Sequence, residues 1–108
     1  MSFPTITVYG DSDNEQQIRL YSGEDPTDLH YATRFLIELN TKEEIDSTTS
    51  PKVFVKHKTR GVLGLRLGLL WWPTNIYYGK LIVYDDFHSN GLYWGTMRLR
   101  TMENTLPV

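Results

Sequence analysis

Cysteine is absent from the 108 residues of this chain. No disulfide framework, thiolate nucleophile or cysteine-bound zinc can therefore be built, and the composition leans towards a protein made in a reducing cytoplasm. A basic excess is also absent: 11 Lys and Arg stand against 13 Asp and Glu, a formal net charge of -2. The basic face that collects nucleic acid is not expected, nor is a nucleic-acid partner. The longest apolar run, Gly61 to Pro73, is interrupted by Arg66 and falls short of the ~20 residues that span a membrane, so no membrane partner is expected. The opening MSFPTITVYG has neither the charged n-region nor the apolar h-region of a signal peptide, and a soluble protein is the expectation.

Motifs that carry chemistry are missing too. His30, His57 and His88 are far apart, with none of the short spacings that place two imidazoles on one metal. There is no Gly-x-Ser-x-Gly elbow, and Gly61, Gly64 and Gly68 lie inside an apolar stretch with no Gly-Lys-Ser or Gly-Lys-Thr after them. Asp85 and Asp86 are adjacent, so on a strand end they point opposite ways and do not form a carboxylate pair. Asp11 to Glu15 looks briefly like a calcium loop. A hand-type loop, however, needs Gly and Glu where Gln16 and Ser22 stand. A solvated turn is the simpler reading. No catalytic residue, metal site or cofactor is expected, and the chain is read as a non-enzyme.

What the chain does have is short alternating segments punctuated by turn residues. A chain of this length suits one domain, residues 1–108, with the ends 1–4 and 102–108 expected to be mobile or partner-bound. Ile6 and Val8 alternate with polar neighbours before Gly10-Asp11. Ile18 and Leu20 do the same before the turn signals Ser22-Gly23 and Asp25-Pro26. Phe35, Ile37 and Leu39 form one face of a third strand. Leu29, Ala32, Leu36 and Leu39 also fit a helix, but the β-branched and aromatic residues favour the strand. A short edge follows at Ile45 to Ser47, and a fourth strand begins at Val53 and Val55 and ends near Lys58. Leu63, Leu65 and Leu67 line a fifth, in which Gly64 hints at close backbone approach. Leu69 to Pro73 reads as a loop, Lys80 to Tyr84 as a strand and Asp85 to Gly91 as a turn. Tyr93 to Thr101 is the last strand, with Tyr93, Met97 and Leu99 inward.

The predicted fold is all-β: a single antiparallel β-sandwich of about seven to nine short strands, immunoglobulin-like in broad architecture. Its core should draw on Ile6, Val8, Ile18, Leu20, Phe35, Ile37, Leu39, Leu63, Leu65, Leu67, Leu81, Val83, Met97 and Leu99.

Two features point outward. Residues 10–28 hold Asp11, Asp13, Glu15, Glu24, Asp25 and Asp28 against Arg19 alone, while residues 52–66 hold Lys52, Lys56, Lys58, Arg60 and Arg66 without an acid. Within one subunit the two surfaces can simply lie apart, whereas in a ring or stack an acidic edge meeting a basic one is a docking rule. The second feature is aromatic. Trp71, Trp72, Tyr77, Tyr78, Tyr84, Phe87, Tyr93 and Trp94 are crowded between residues 71 and 94. Adjacent rings on extended chain cannot both enter one core, so at least one of Trp71-Trp72 and one of Tyr77-Tyr78 should meet another surface. Trp and Tyr anchor protein interfaces and also stack on sugars, so Trp71, Trp72, Tyr77 and Tyr78 are the candidate contacts for a protein partner or a glycan. The plainer reading is that the rings cover sandwich ends within one subunit.

The stretch GDSDNEQQIRLYSGEDPTDLHYATRFLIEL, Gly10 to Leu39, has a polar opening, a strand ending Ile-Arg-Leu-Tyr, a Gly-containing turn and an apolar strand from Thr33-Arg34-Phe35. With Glu44-Ile45-Asp46-Ser47, the run Gly61 to Gly68 and the final strand pair, this resembles small immunoglobulin-like virion proteins of tailed bacteriophages and prophages, including the N-terminal domain of baseplate upper proteins. The resemblance implies a virion structural part of the tail, baseplate or neck. Such a part is made in the host bacterial cytoplasm and docks on copies of itself and other virion proteins. Trp71-Trp72-Pro73 departs from the milder loop expected there. The last predicted strand falls close to the end of the sequence, so an adaptor or decorating subunit is expected rather than a whole receptor-binding protein. The alternative reading is a carbohydrate-binding module with the four rings as a stacking platform.

Overall fold

Alternation of apolar and polar residues sets most of the strands. The computed structural model describes residues 5–9, 14–70 and 76–102. Among these, ten strands follow in order: β1 (Thr5–Tyr9), β2 (Gln16–Arg19), β3 (Tyr21–Ser22), β4 (Asp25–Pro26), β5 (Ala32–Leu39), β6 (Glu44–Asp46), β7 (Phe54–Lys56), β8 (Val62–Leu65), β9 (Ile76–Asp85) and β10 (His88–Met102). Three single-turn 3-10 segments, at Leu29–Tyr31, Pro51–Val53 and Leu67–Leu69, are the helical content of the described residues. The protein is all-β.

The strands make two main sheets, β1-β10-β9-β5-β6 and β2-β8-β7, with β3 and β4 forming a small hairpin. One core lies between the two sheets. Phe35 of β5 and Phe54 of β7 stack across it with ring centroids 5.7 Å apart. Ile37, Leu63, Leu65, Leu81 and Leu99 are almost wholly excluded from solvent. Of the fourteen residues named for the core, all but Ile18 are buried; Ile18 packs partly exposed at its margin on the outermost strand of the smaller sheet. The helical reading of Leu29–Leu39 survives only as the Leu29–Tyr31 turn. From Ala32 onward the chain is the strand β5, held between β9 and β6. Leu36 is buried as well, although it faces away from the core, with Asp46 and Ile82 as its neighbours on the two flanking strands.

Several details differ from expectation. The larger sheet is mixed, since β1 runs parallel to β10, with Ile6 beside Leu99 and Val8 beside Thr101. The next strand, β2, belongs to the other sheet, so no hairpin obliges β1 to pair antiparallel. Asp25-Pro26 is the returning strand of the small hairpin, and Val53 and Leu67 sit in 3-10 turns rather than strands. The turn expected over Asp85–Gly91 shrinks to Asp86-Phe87, with the chain already in β10 at His88. Tyr93 points outward, 62% exposed. The register against β9 slips between Tyr93 and Gly95, leaving Trp94 as the extra residue of a bulge. Before the slip Leu92 shares the face of buried Val83. After it that face passes to odd-numbered Met97 and Leu99.

Candidate functional site

Of the four candidate contact rings, Trp71 and Trp72 lie outside the described residues. Tyr77 and Tyr78 open β9 and point to opposite faces, as successive strand residues must. Tyr77 stands opposite Leu99 and is 7% exposed in the core. Tyr78 stands opposite Arg98 on the outer face and is 40% exposed. Tyr77 is therefore a core side chain, and Tyr78 is the member of the pair presented to the surroundings.

The register of the five-stranded sheet places Tyr78 in an outward-facing array. Across the strands run the pairs Arg100 and Ile76, Arg98 and Tyr78, Thr96 and Lys80, then Tyr93 with Ile82 and Leu36, and Tyr84 with Arg34. Ile76, Tyr78 and Tyr93 are exposed, while Ile82 and Tyr84 are half-buried. At the hairpin tip Phe87 is 84% exposed. Its turn is closed by Asp85, whose Oδ1 accepts from the Phe87 N–H at 2.9 Å and from His88 Nδ1 at 2.8 Å. This is the local bonding that makes Asp a turn residue.

One edge of the array is pinned by charge. Arg34 donates to both carboxylate oxygens of Asp46, through Nε at 3.0 and 3.1 Å and through Nη2 to Oδ2, while its guanidinium lies 4.7 Å from the Tyr84 ring centroid. Such a fork-on-carboxylate pair combines orientation with attraction. The Arg34 hydrogen bonds hold the Asp46 carboxyl down at about 2, helped by the Thr48 N–H, and Asp46 in turn raises the Arg34 guanidinium.

The acidic and basic segments meet within one chain. β2 pairs antiparallel with β8, bringing Glu15 beside residues 57–66. His57 Nε2 donates to Glu15 Oε2 at 2.6 Å, and Arg66 Nε lies 3.6 Å from Oε1. Burial pushes the Glu15 carboxyl up, but hydrogen bonds from Gln17 and His57 with the charges of His57 and Arg66 leave it below its ordinary value. The close approach foreseen at Gly64 is this side chain: a Cβ there would stand 2.5 Å from Glu15 Cδ. Asp11 and Asp13 lie outside the described residues.

His30, His57 and His88 stay separate, the last two each on its own carboxylate. Among the described residues no group of three His, Cys, Asp or Glu could hold a metal ion, and no helix is long and apolar enough to cross a membrane. The Arg34–Asp46–Tyr84 cluster and the outward turn of Tyr93 were not anticipated. The sole hint of the latter was Gly95, two residues on. No protein-family model matches the chain, and no curated protein is similar enough in sequence to lend it a function.

Proposed function

We propose that this chain is an immunoglobulin-like, non-enzymatic assembly module, a structural protein of a tailed-bacteriophage virion. It is made in the host cytoplasm and docks on copies of itself and other virion proteins in the tail, baseplate or neck. The observation that carries the reading is the outer face of the five-stranded sheet, where exposed Ile76, Tyr78 and Tyr93 lie among Lys80, Arg98 and Arg100. Tyr and Arg are the side chains enriched at interface centres, and an exposed aromatic array on a monomer marks a contact surface.

The strand order supports the immunoglobulin-like part. With β1, β2, β5, β6, β7, β8, β9 and β10 taken as the successive strands of such a sandwich, the order β10-β9-β5-β6 matches its front sheet with one added strand. The order β2-β8-β7 matches three of the four back-sheet strands, the first strand β1 lying beside β10 on the front sheet instead. Tyr77, buried near the start of β9, stands where these sandwiches carry their corner tyrosine. The disulfide of antibody domains has no counterpart here.

Mass by light scattering tests the proposal, on the wild type and a Tyr78→Ser, Tyr93→Ser double variant. At about 2 kcal/mol for each anchor, the double substitution weakens self-association by roughly three orders of magnitude. A defined wild-type oligomer that becomes a folded monomer in the variant is expected. An oligomer that survives both substitutions removes the outer face from assembly, and a wild type that is monomeric at every concentration overturns self-assembly.

A further inference from the structure

A cavity of about 360 Å³ lies between the first 3-10 turn and the β7–β8 loop. Asp28 and His30 contribute to one wall, and Lys56, His57, Lys58 and Arg60 to the other. Three cationic side chains therefore contribute to its lining, with one carboxylate. That carboxylate already has a structural role, because Asp28 Oδ1 accepts from the His30 N–H at 2.9 Å and caps the turn.

The fold positions these side chains. Arg60 Nε donates to the Pro26 carbonyl at 3.0 Å, which fixes one edge of the guanidinium and leaves it donors to spare. Lys56 Nζ instead donates to the Ala32 carbonyl at 3.2 Å, outside the cavity lining, so Lys58 and Arg60 are the cations left to a guest. His57 is oriented by Glu15, which lies outside the cavity lining. The loop itself is set by Gly61, at φ +81, where a Cβ would stand 2.8 Å from the Leu20 carbonyl oxygen. A left-handed residue with no side chain is required there, so the loop can fold close against the β3–β4 hairpin.

We infer that this cavity binds a phosphate-type oxyanion, as the free ion or as the terminal group of a small phosphate monoester. The volume falls at the low end for small-ligand pockets, and a lining rich in cations suits a charged guest rather than an apolar one. Concave walls strengthen the field of Lys58 and Arg60 inside the cavity, and a guanidinium can grip two oxygens of the same phosphate. The chain as a whole carries net charge -2, so attraction has to come from this local arrangement.

The test is a titration of the 15N-labelled full chain with inorganic phosphate, at constant ionic strength in chloride, followed by amide chemical shifts. Saturable shifts confined to residues 28–30 and 56–61 are expected. A Lys58→Ala, Arg60→Ala double variant, both positions being exposed, should bind at least ten-fold more weakly. Lys52→Ala, an exposed cation outside the cavity lining, should bind as the wild type does. A repeat with glycerol phosphate separates the sources: tighter binding than inorganic phosphate assigns the cavity to a monoester, equal or weaker binding to the free ion. Shifts that rise linearly without saturating overturn the inference. So do shifts scattered over the surface, or a double variant that binds like the wild type.

Discussion

Replacing Asp46 by Asn removes one charge from the edge of the larger sheet with little change of shape. The Thr48 N–H keeps an oxygen acceptor, and Arg34 keeps its place over Tyr84 but loses its counter-ion. A carboxyl held at about 2 rather than 3.8 sets a ceiling of roughly 2.5 kcal/mol, at about 1.4 kcal/mol for each tenfold change in proton affinity. Asp46 is 16% exposed but Arg34 is 36% exposed, so solvent screening reduces the expected loss to about 1–1.5 kcal/mol. The folded-state value lies below the unfolded one. The stabilisation is therefore complete above about pH 5, declines as pH falls through 3.8, and is gone once Asp46 is protonated in the folded state, below about 2. Urea unfolding of wild type and Asp46→Asn from pH 7 to pH 2 measures the difference. It should be near its full value at neutral pH and shrink towards zero at the acid end, with Arg34→Met showing the same trend. A difference that stays constant over the whole range would refute the electrostatic account and assign the loss to packing.

Ile37→Ala opens a void at a side chain with no solvent exposure and should cost about 2–5 kcal/mol in urea unfolding, enough to unfold much of a domain this size. Gly61→Ala meets both a left-handed φ and the Leu20 carbonyl, whereas Gly23→Ala at φ +67 has open space around it. The first should lower the thermal midpoint several degrees more than the second. Gly64→Ala must displace the Glu15 side chain. Its cost should therefore fall when Glu15 is already alanine, and equal costs in both backgrounds would separate the two residues.

Much of the fold is legible in the residues themselves. Phe35, Ile37 and Leu39, or Leu63 and Leu65, alternate with neighbours that cannot share their face, and a strand that buries one face must repeat every second residue. Thirteen of the fourteen core positions named from that rule are buried, Ile18 being the partial exception. Turn chemistry located most of the breaks. The absence of cysteine alone excludes disulfides and thiolate sites.

Other features belong to the tertiary structure because they depend on which distant segments become neighbours. Alternation is local and carries no information about partner or direction. Nothing in Thr5–Tyr9 itself requires a parallel place beside β10. The bulge at Trp94 reverses the facing of every residue before it, which turned Tyr93 from core to surface. Pairing of β2 with β8 set Glu15 against His57 and Arg66, so opposite charges expected to meet between subunits meet partly within one. The outer array and the cationic cavity arise in the same way. Their side chains are ordinary in sequence, and become a surface and a site only when register and loop closure bring them together.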